Sequence, residues 1–351
     1  MARGAHRPDS HAAKLRPPPK HTAPSVRSVQ ITPDVRLAAC SADPAATYRV
    51  TAPGAVGGLR VVGVGVGADA DEILASDAWV VVPPSAADPS TQTLLAKTAR
   101  FSEGREHVER RAAAQALMPH PTRAREIARL LTGHAITDAG PFLDAMPVAR
   151  HVPVAALASC LEIPGNASDR VASLVGQLCD ASAPGLLPRP PGDGLGDVSG
   201  ELAVISAVAC GSPAAGEAAV GLMFQARDAT AGLVGLALLR GCDPDFPERT
   251  VEETLRCDSP VQATTRTRTG TGDAPVLAWV VLATGDATLG IAPTFGRGRH
   301  ACPGHAVAAA LACGVLDGFR EAGWQAVPGQ AIGYEPRPNL RIPHQILMAR
   351  A

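Results

Sequence analysis

The sequence is poor in aromatic residues and in lysine, and its opposite charges nearly cancel. Phe, Trp and Tyr make up 3% of the 351 residues, and lysine occurs only at positions 14, 20 and 97. Lysine and arginine together number 32, against 33 aspartates and glutamates, so the formal net charge is -1. Because nucleic-acid-binding proteins need a basic surplus or a basic stripe, this balance argues against a nucleic-acid partner.

Closely spaced cysteine pairs and long apolar runs are also absent from the sequence. None of the eight cysteines forms a C-x-x-C pair, which argues against a zinc ribbon or a thioredoxin-like site. Most of them lie in apolar helical segments, where a thiol packs as a small hydrophobic group, and this usage suits a reducing cytoplasm. Since no run of about 18 apolar residues and no apolar signal core occurs, we expect a cytoplasmic protein with no membrane partner.

The sequence does contain enough apolar residues for a core. They make up 46% of the chain, which excludes a mostly disordered protein, and the length allows one large domain or two smaller ones. Residues 1–30 carry six basic residues against one acid, Asp9, and the run Pro17-Pro18-Pro19. This composition predicts a disordered basic tail, with a docking arm for an acidic partner as the alternative.

Apolar spacing predicts a fold that is mainly α-helical with a minor β-sheet. Residues 214–240 form the longest candidate helix and are apolar nearly all round, so we expect this helix to be central and buried. Valine-rich runs predict strands at 59–67 and 275–283, and the C-terminal end predicts short strands and turns. Further helices are predicted within 101–131, broken by Pro119 and Pro121, and at 70–76, 152–161, 167–179, 247–256 and 304–319.

The segment Phe295–Gly304 has the clearest chemical character in the chain. Gly296 and Gly298 allow the loop to fold tightly and to approach a flat ligand closely. The chain then enters an apolar helix. Its first N–H groups and its positive dipole end would face Cys302 and stabilise a thiolate there.

Cations accompany this thiol. Arg297, Arg299 and His300 lie just before Cys302 and would pair with anionic groups of a ligand. The combination predicts a metal-thiolate or nucleophile site, and a buried structural thiol is the alternative.

The letters at 295–304, Phe-Gly-Arg-Gly-Arg-His-Ala-Cys-Pro-Gly, resemble the haem-binding signature of the cytochrome P-450 family, Phe-Gly-x-Gly-x-His-x-Cys-x-Gly. The resemblance implies a single haem domain over residues 31–351, with haem b bound through Cys302 as the axial ligand of the iron. It also assigns four neighbours to the cofactor site: Phe295, Gly296, His300 and Gly304.

A carboxylate and a guanidinium three residues apart precede this loop. Glu253-Thr254-Leu255-Arg256 matches the family's Glu-x-x-Arg motif. The spacing places both charged side chains on one helix face, where a bidentate pair can form. An ordinary surface pair is the alternative for an isolated motif. The resemblance implies that Glu253 and Arg256 have a structural role beside the thiolate loop.

His107 and Arg111 lie on one face of a predicted helix and resemble the family's His-x-x-x-Arg motif. The resemblance implies that these two side chains, with Arg266 and His300, hold the haem propionates. Buried propionates need such cationic donors. Taken alone, Arg266 would equally suit a solvated strand residue among threonines.

The long helix carries Gln-Ala-Arg-Asp-Ala-Thr at 225–230, where members of the family have Ala-Gly-x-Asp/Glu-Thr-Thr. The resemblance implies that the acid and the alcohol after it relay protons to the reacting oxygen. Asp228 is kept, Ala229 stands where the alcohol is usual, and Thr230 is rotated by about 100° around the helix. A substrate hydroxyl or water would complete the relay, which we favour; different chemistry and a local register change are the alternatives.

The chain is shorter than typical soluble bacterial members of the family. Residues 198–216 leave room for one short helix where relatives have two, and 283–290 pass almost directly from a strand into the thiolate loop. Relatives insert a meander there, which packs beside the Glu-x-x-Arg pair and faces the electron donor. The resemblance therefore implies either a minimal enzyme or a haem-binding protein with impaired catalysis.

As an enzyme of this family, the protein would oxidise a small or medium organic substrate with O2, using electrons from a ferredoxin and its reductase. Hydroxylation and oxidative cyclisation or coupling in specialised metabolism are the implied reactions, and segments 83–100, 167–179 and 182–198 would line the substrate pocket.

Two rival classes of protein also fit parts of the sequence. Gly63–Ala68 fits a dinucleotide-binding fingerprint, although the following helix is too short for a βαβ unit. A catalytically silent haem protein is the other.

Overall fold

A computed structural model of the protein describes residues 27–30, 47–51, 60–64, 68–84, 86, 88–182, 197–241, 247–268, 276–283, 294–335, 337 and 339–350. Within these ranges the fold is mainly α-helical with a minor β component, as predicted. The helices are α1 (Ala68–Ala75), α2 (Pro89–Ala96), α3 (Gly104–Ala116), α4 (Pro121–Ala135), α5 (Ala145–Cys160), α6 (Gly165–Ala181), α7 (Val198–Ala209), α8 (Pro213–Arg240), α9 (Pro247–Cys257) and α10 (His305–Glu321).

The strands form two sheets. The larger sheet has six strands in the order β1-β2-β3-β7-β6-β4, and the smaller has three in the order β5-β9-β8. Strands β3 and β7 are parallel, and β6 pairs antiparallel with both β7 and β4. The strands are β1 (Arg27–Gln30), β2 (Thr47–Thr51), β3 (Arg60–Val64), β4 (Val80–Val81), β5 (Phe142–Asp144), β6 (Ala263–Arg268), β7 (Val276–Val281), β8 (Trp324–Ala326) and β9 (Leu347–Arg350).

Most predicted elements occur close to their predicted positions, but the predicted start of the helix at 152 was wrong. Helix α5 begins at Ala145, where the Asp144 carboxylate accepts a hydrogen bond from Met146 N–H at 3.0 Å. Pro153 lies inside this helix. A proline removes one helical hydrogen bond and is favoured in a first turn, so the sequence pattern mimics a helix start there.

Two predictions about unstructured segments fall largely outside the described residues. Residues 27–30 of the predicted basic tail form strand β1, and residues 1–26 lie outside the described part of the chain. The same holds for 183–196 of the predicted pocket loop and for 284–293, where the meander was expected to be missing. The prediction of one short helix in 198–216 agrees with α7 and with the start of α8 at Pro213.

Helix α8 is the central helix, as predicted. Residues 230–238 are all buried, and the helix contacts α3, α5, α6, α7, α9 and α10. Gly232 allows one of these close approaches, because a Cβ there would lie 2.7 Å from the Cβ of Pro260. Packing of this density leaves no room for a methyl group without movement of the backbone.

Helix α10 packs on α4 at almost backbone distance. A Cβ at Gly314 would lie 2.9 Å from that of Ala128, and closer still to the carbonyl oxygen of Arg125. One turn later, a Cβ at Gly318 would lie 2.5 Å from the Cβ of Thr132. Asp317, which is buried between these glycines, accepts a hydrogen bond from Arg125 Nε at 2.8 Å. The two helices are therefore fixed in register along their contact.

Two helical stretches, Pro213–Arg240 and Gly298–Glu321, are long and apolar enough to cross a membrane by length and composition. Their most apolar windows are 61% and 56% buried inside the protein, as the core helices of a soluble protein also are.

Candidate functional site

The segment Phe295–Gly304 forms a tight loop at the start of α10. The Cys302 N–H donates to the Phe295 carbonyl at 2.7 Å, which closes the loop. Gly296 and Gly298 have φ values of 71° and 68°, in the left-handed region that favours glycine. Gly298 also packs on α1, because a Cβ there would lie 2.5 Å from the carbonyl oxygen of Leu74. The prediction of a tight glycine loop thus matches the geometry.

The Cys302 thiol is half-buried at the entrance of this helix. Burial raises its pKa, and the N–H of Gly304 and the charges of Arg111 and Arg100 offset only part of that effect. The predicted stabilisation of a thiolate by the helix start is present but is outweighed by desolvation. A bound cation, such as a metal ion, would deprotonate the thiol outright.

Two stacked imidazoles lie beside the loop. The rings of His107 on α3 and His300 are 4.0 Å apart between centroids, and both side chains are buried. Burial lowers the pKa of His107, and nearby Arg111 lowers it further. Burial likewise lowers the pKa of His300 to about 4, against the opposing effect of Glu103. Both rings are therefore neutral at pH 7.

Glu103 is the acid at the centre of this region. Its carboxylate accepts hydrogen bonds from Arg299 Nε at 2.9 Å and from the Val81 N–H at 2.6 Å, and it lies 3.3 Å from His300 Nε2. Burial alone would raise the Glu103 pKa, but these donors lower it to about 2. Arg299 also donates to the carbonyl of Trp79 at 2.7 Å. Glu103 thus joins α3, β4 and the segment Phe295–Gly304, which we call the cysteine loop.

We expect the Glu103→Gln variant to be less stable than the parent at pH 7 by about 1–2 kcal/mol, a value reduced for solvent screening. Because the folded-state pKa lies below the unfolded value of about 4.3, this stability is present above pH 5 and is lost as the pH falls towards 2. Denaturant unfolding at several pH values measures the gap between the two proteins. Glu106→Gln, on the exposed face of α3, is the control; a gap that persists at pH 2 contradicts the prediction.

Arg266 on β6 is buried, with 5% of its surface exposed. Its guanidinium donates to Thr264 Oγ1 at 3.1 Å and to the Thr265 carbonyl at 2.8 Å. Burial lowers its pKa to about 10, and the charges of Arg100 and Arg299 add to that effect. The alternative of a solvated strand residue is excluded by this burial. A buried guanidinium without a carboxylate needs an anionic partner.

Arg100 belongs to the same region, although the sequence motifs did not identify it. It lies on a 3-10 turn, Ala99–Phe101, and its charge acts on both Cys302 and Arg266. The acids nearby, Glu103 and Asp77, pair with Arg299. In the described part of the chain, no carboxylate pairs with Arg100, Arg111 or Arg266. A single sequence does not indicate that Arg100 lies near the segment Phe295–Gly304, because about 200 residues separate them.

The predicted pair of Glu253 and Arg256 does not form. Both residues lie on α9, where Glu253 is half-buried and Arg256 is exposed, and no ion pair joins them within the described residues. The helix nevertheless contacts the cysteine loop, because Thr294 Oγ1 donates to the Leu255 carbonyl at 3.1 Å. A structural role beside the loop stays a prediction for Glu253 and Arg256.

Asp228 on α8 is part of a buried ion network. Its carboxylate contacts Arg227 Nη1 at 3.0 Å and Arg337 Nη1 at 2.7 Å. Arg227 also pairs with Asp180 of α6 at 2.9 Å, and Arg337 pairs with Glu335 at 3.1 Å. Only 7% of Asp228 is exposed. The acid assigned to a proton relay is therefore held by two guanidiniums from different parts of the chain.

Replacing Arg337 by glutamine is expected to lower the free energy of unfolding by about 2 kcal/mol, because it leaves the buried Asp228 with one partner instead of two. The matched control is Arg341→Gln in the same C-terminal segment, whose pair with Asp258 at 3.1 Å is more exposed. That control is expected to cost about 0–1 kcal/mol. Chemical denaturation of both variants tests this, and equal losses would count against the network.

Ala229 and Thr230 differ in their surroundings. Thr230 is 1% exposed, and its hydroxyl has no hydrogen-bond partner among the described residues. Ala229 is half-buried and continues a line of more open positions on α8 with Leu222, Gln225 and Ala226. These positions recur every three to four residues, so they share one helix face. The open face of α8 thus carries Ala229, and the Thr230 hydroxyl faces the packed side.

Comparison with known proteins gives matches at the level of structure. No family model and no curated protein matches the sequence. The chain is similar in structure to cytochrome P-450 BioI in complex with an acyl carrier protein that carries hexadec-9Z-enoic acid, with a TM-score of 0.69 and 14% identity. That match covers 91% of this chain and 98% of the other.

Two further solved structures agree with this match. A substrate-free cytochrome P-450 of Mycobacterium marinum has a TM-score of 0.65 at 17% identity, covering 91% of this chain and 95% of the other. CYP154C4 of a Streptomyces species has a TM-score of 0.67 at 18% identity, covering 92% and 98%. Identities this low indicate a shared fold and carry no information about substrates.

Proposed function

We propose, from a chain that has the cytochrome P-450 fold, that this protein is a haem-thiolate monooxygenase with Cys302 as the axial ligand of the iron. The observation that carries the proposal is the Cys302 thiol at the start of α10, on which two guanidiniums without an acid partner act, those of Arg100 and Arg111. Fold alone does not define an activity, so the weight rests on these residues. We further propose that residues 31–351 form one haem domain.

The residues fit a haem with two propionates. Arg266 is buried without a carboxylate, and Arg111 and His107 lie on the adjacent face of α3. One propionate would supply the negative charge that the burial of Arg266 requires, and Arg111 and His107 could donate hydrogen bonds to the other. His300 and the rest of the segment Phe295–Gly304 would hold the haem next to Cys302. Within the described residues no three His, Cys, Asp or Glu side chains converge as a metal cluster, which suits a metal bound by one protein ligand and a cofactor.

When bound, a haem held by Cys302 would supply O2 activation: one oxygen atom would enter the substrate and the other would leave as water, with two electrons from a donor and two protons from the solvent. Haem b is the form we propose, with a ferredoxin and its reductase as the donor and a small or medium organic substrate. We place the reaction in the cytoplasm and in specialised metabolism, as a hydroxylation or an oxidative cyclisation or coupling.

The protein's own residues handle the protons. Asp228 lies between Arg227 and Arg337, and its carboxylate oxygens can accept a hydrogen bond that orients a water or a substrate hydroxyl. The methyl side chain of Ala229 cannot donate, and it leaves space on the open face of α8 for such a group. Thr230 would join the relay only after a local change of helix register.

One observation favours a second candidate, a haem protein that binds but does not turn over. The acid of the proposed relay is engaged by two guanidiniums, and the residue after it has no hydroxyl. Both features would slow proton delivery in a monooxygenase.

Reconstitution with haem followed by oxygen uptake tests the proposal. Substrate-dependent oxygen consumption with a reduced ferredoxin, stoichiometric with oxidised product, is the expected result. An intact thiolate haem spectrum without oxygen consumption for any substrate that shifts the haem band would favour the silent binder. Coupling of NADPH use to product in Ala229→Thr is the accompanying measurement. Unchanged coupling and activity would count against a gap in the relay at this position.

A further inference from the structure

Arg100 lies between the central helix and the cysteine loop. Its guanidinium carbon is 5.3 Å from the centroid of its neighbour Phe101, whose ring contacts Phe224 of α8 at 6.4 Å between centroids. On the other side, the charge of Arg100 is close enough to Cys302 to act on the thiol. The segment that carries it is held in place, because a Cβ at Gly221 of α8 would lie 3.0 Å from Thr98.

Arg100 is deep in the protein and yet has an open surface. The residue is exposed to water, whereas the protein atoms around its guanidinium lower its pKa. The side chain therefore projects into an opening that is reached by water and bordered by protein atoms. Gln225, on the open face of α8, is likewise exposed, and it lies between half-buried neighbours in the middle of the helix. The segment of Arg100 approaches this helix next to Gln225, because Phe101 contacts Phe224 and Thr98 lies against Gly221, one turn before Gln225.

The charges around this opening do not balance. Glu103 and Asp77 are taken by Arg299, and His107 and His300 are neutral at pH 7. Of the described guanidiniums beside the cysteine loop, three have no acid within ion-pair distance: Arg100, Arg111 and Arg266. Two propionates would match two of them. The third, Arg100, is partly desolvated by the protein around it and is left free to pair with an anion that enters from the opening.

We infer that Arg100 binds the carboxylate of the substrate, so that the protein accepts organic acids with an apolar body. This inference rests on the proposed haem function. Arg111 and Arg266 lie on α3 and β6, next to the stacked histidines, and suit the propionates. Arg100 lies beside Phe101 and the open face of α8, whose Leu222, Ala226 and Ala229 offer an apolar wall to the rest of the ligand. A guanidinium binds a carboxylate in a bidentate manner, which also orients it.

The test compares acids with alcohols of the same skeleton. Dodecanoate and 3-phenylpropanoate are titrated into the haem-loaded protein against 1-dodecanol and 3-phenylpropanol, with the shift of the haem band and equilibrium dialysis as two readouts. The wild type is expected to bind the acid of at least one pair 10- to 100-fold more tightly than the alcohol, the range of a charge-assisted hydrogen bond. Arg100→Gln is expected to remove that preference and to leave alcohol affinity within about twofold, and Arg100→Lys to retain part of it. The matched control, Arg105→Gln, removes an exposed arginine of α3 that pairs with Glu109.

Several outcomes overturn the assignment. These are equal affinity for acid and alcohol in both wild-type pairs, no binding of either acid, and a preference that survives Arg100→Gln. Loss of haem content or weaker haem binding in Arg100→Gln would mean that Arg100 holds a propionate instead, so haem stoichiometry is measured for every variant. If the wild type binds no haem, the proposed function fails, whereas dialysis still reports on the carboxylate preference. The two failures are thereby distinguished.

Discussion

Replacing Cys302 by serine is expected to abolish the red-shifted absorption band of the reduced, carbon-monoxide-bound protein. A serine hydroxyl ionises far less readily than a thiol and is a poor ligand for haem iron, so the thiolate spectrum requires sulfur at this position. The fold should survive, since the loop is closed by the backbone hydrogen bond from the Cys302 N–H to the Phe295 carbonyl, which serine retains. Circular dichroism and the carbon monoxide difference spectrum measure the two properties.

The matched control for this experiment is Cys210→Ser. Cys210 is a half-buried thiol in the turn between α7 and α8, away from the cysteine loop. The control should keep the full band. A band that persists in Cys302→Ser would exclude Cys302 as the ligand, and with it the central proposal.

Replacing Gly298 by alanine is expected to lower the free energy of unfolding by about 3–5 kcal/mol and to reduce the haem content sharply. Two costs add. A residue with a side chain at a φ of 68° is strained by about 1–2 kcal/mol. The new Cβ would also lie 2.5 Å from the Leu74 carbonyl oxygen, so either α1 or the loop must move, as in an overpacked core. Denaturant unfolding and the ratio of haem to protein report both effects.

Gly296 provides a matched control in the same loop. Its φ is 71°, but the nearest atom to a Cβ there, the His300 carbonyl oxygen, is 3.7 Å away. Gly296→Ala should therefore carry the strain alone, about 1–2 kcal/mol. Equal losses at 296 and 298 would show that contact with α1 does not position the cysteine loop.

The fold was predictable from local patterns to a large extent. Apolar spacing predicted α8 and α10 to within a few residues of their ends. Both helices are enclosed by protein, so apolar residues occur along nearly their whole length. The start of α5 was mispredicted, since Pro153 inside a helix produces the same local signal as a first-turn proline. Helix propensity alone does not distinguish a proline in the first turn from a proline inside a helix; the packing around the helix does.

The site was predictable where its chemistry is contiguous in sequence. The cysteine loop carries its glycines, its imidazole and its thiol within ten residues, and the geometry follows that pattern. Glu103 and Arg299 could not be paired in advance, because 196 residues separate them and each is an ordinary charged residue in its own segment. The burial of Arg266 likewise depends on strand pairing with Ala278 and Val81, which the threonines around it do not indicate.

The contact between α4 and α10 has a consequence for Cys302, the proposed iron ligand. Cys302 lies just before α10, and the second half of this helix packs closely on α4 at Gly314 and Gly318. The position of the Cys302 sulfur therefore depends on a helix contact that lies roughly three helical turns away. A slip of α10 by one residue would move the thiol by about 1.5 Å and turn it by about 100°, and the two glycines forbid that slip. Substitutions at this distant crossing would thus move the Cys302 sulfur, and in the proposed haem protein they would shift the reduction potential without altering any residue of the cysteine loop.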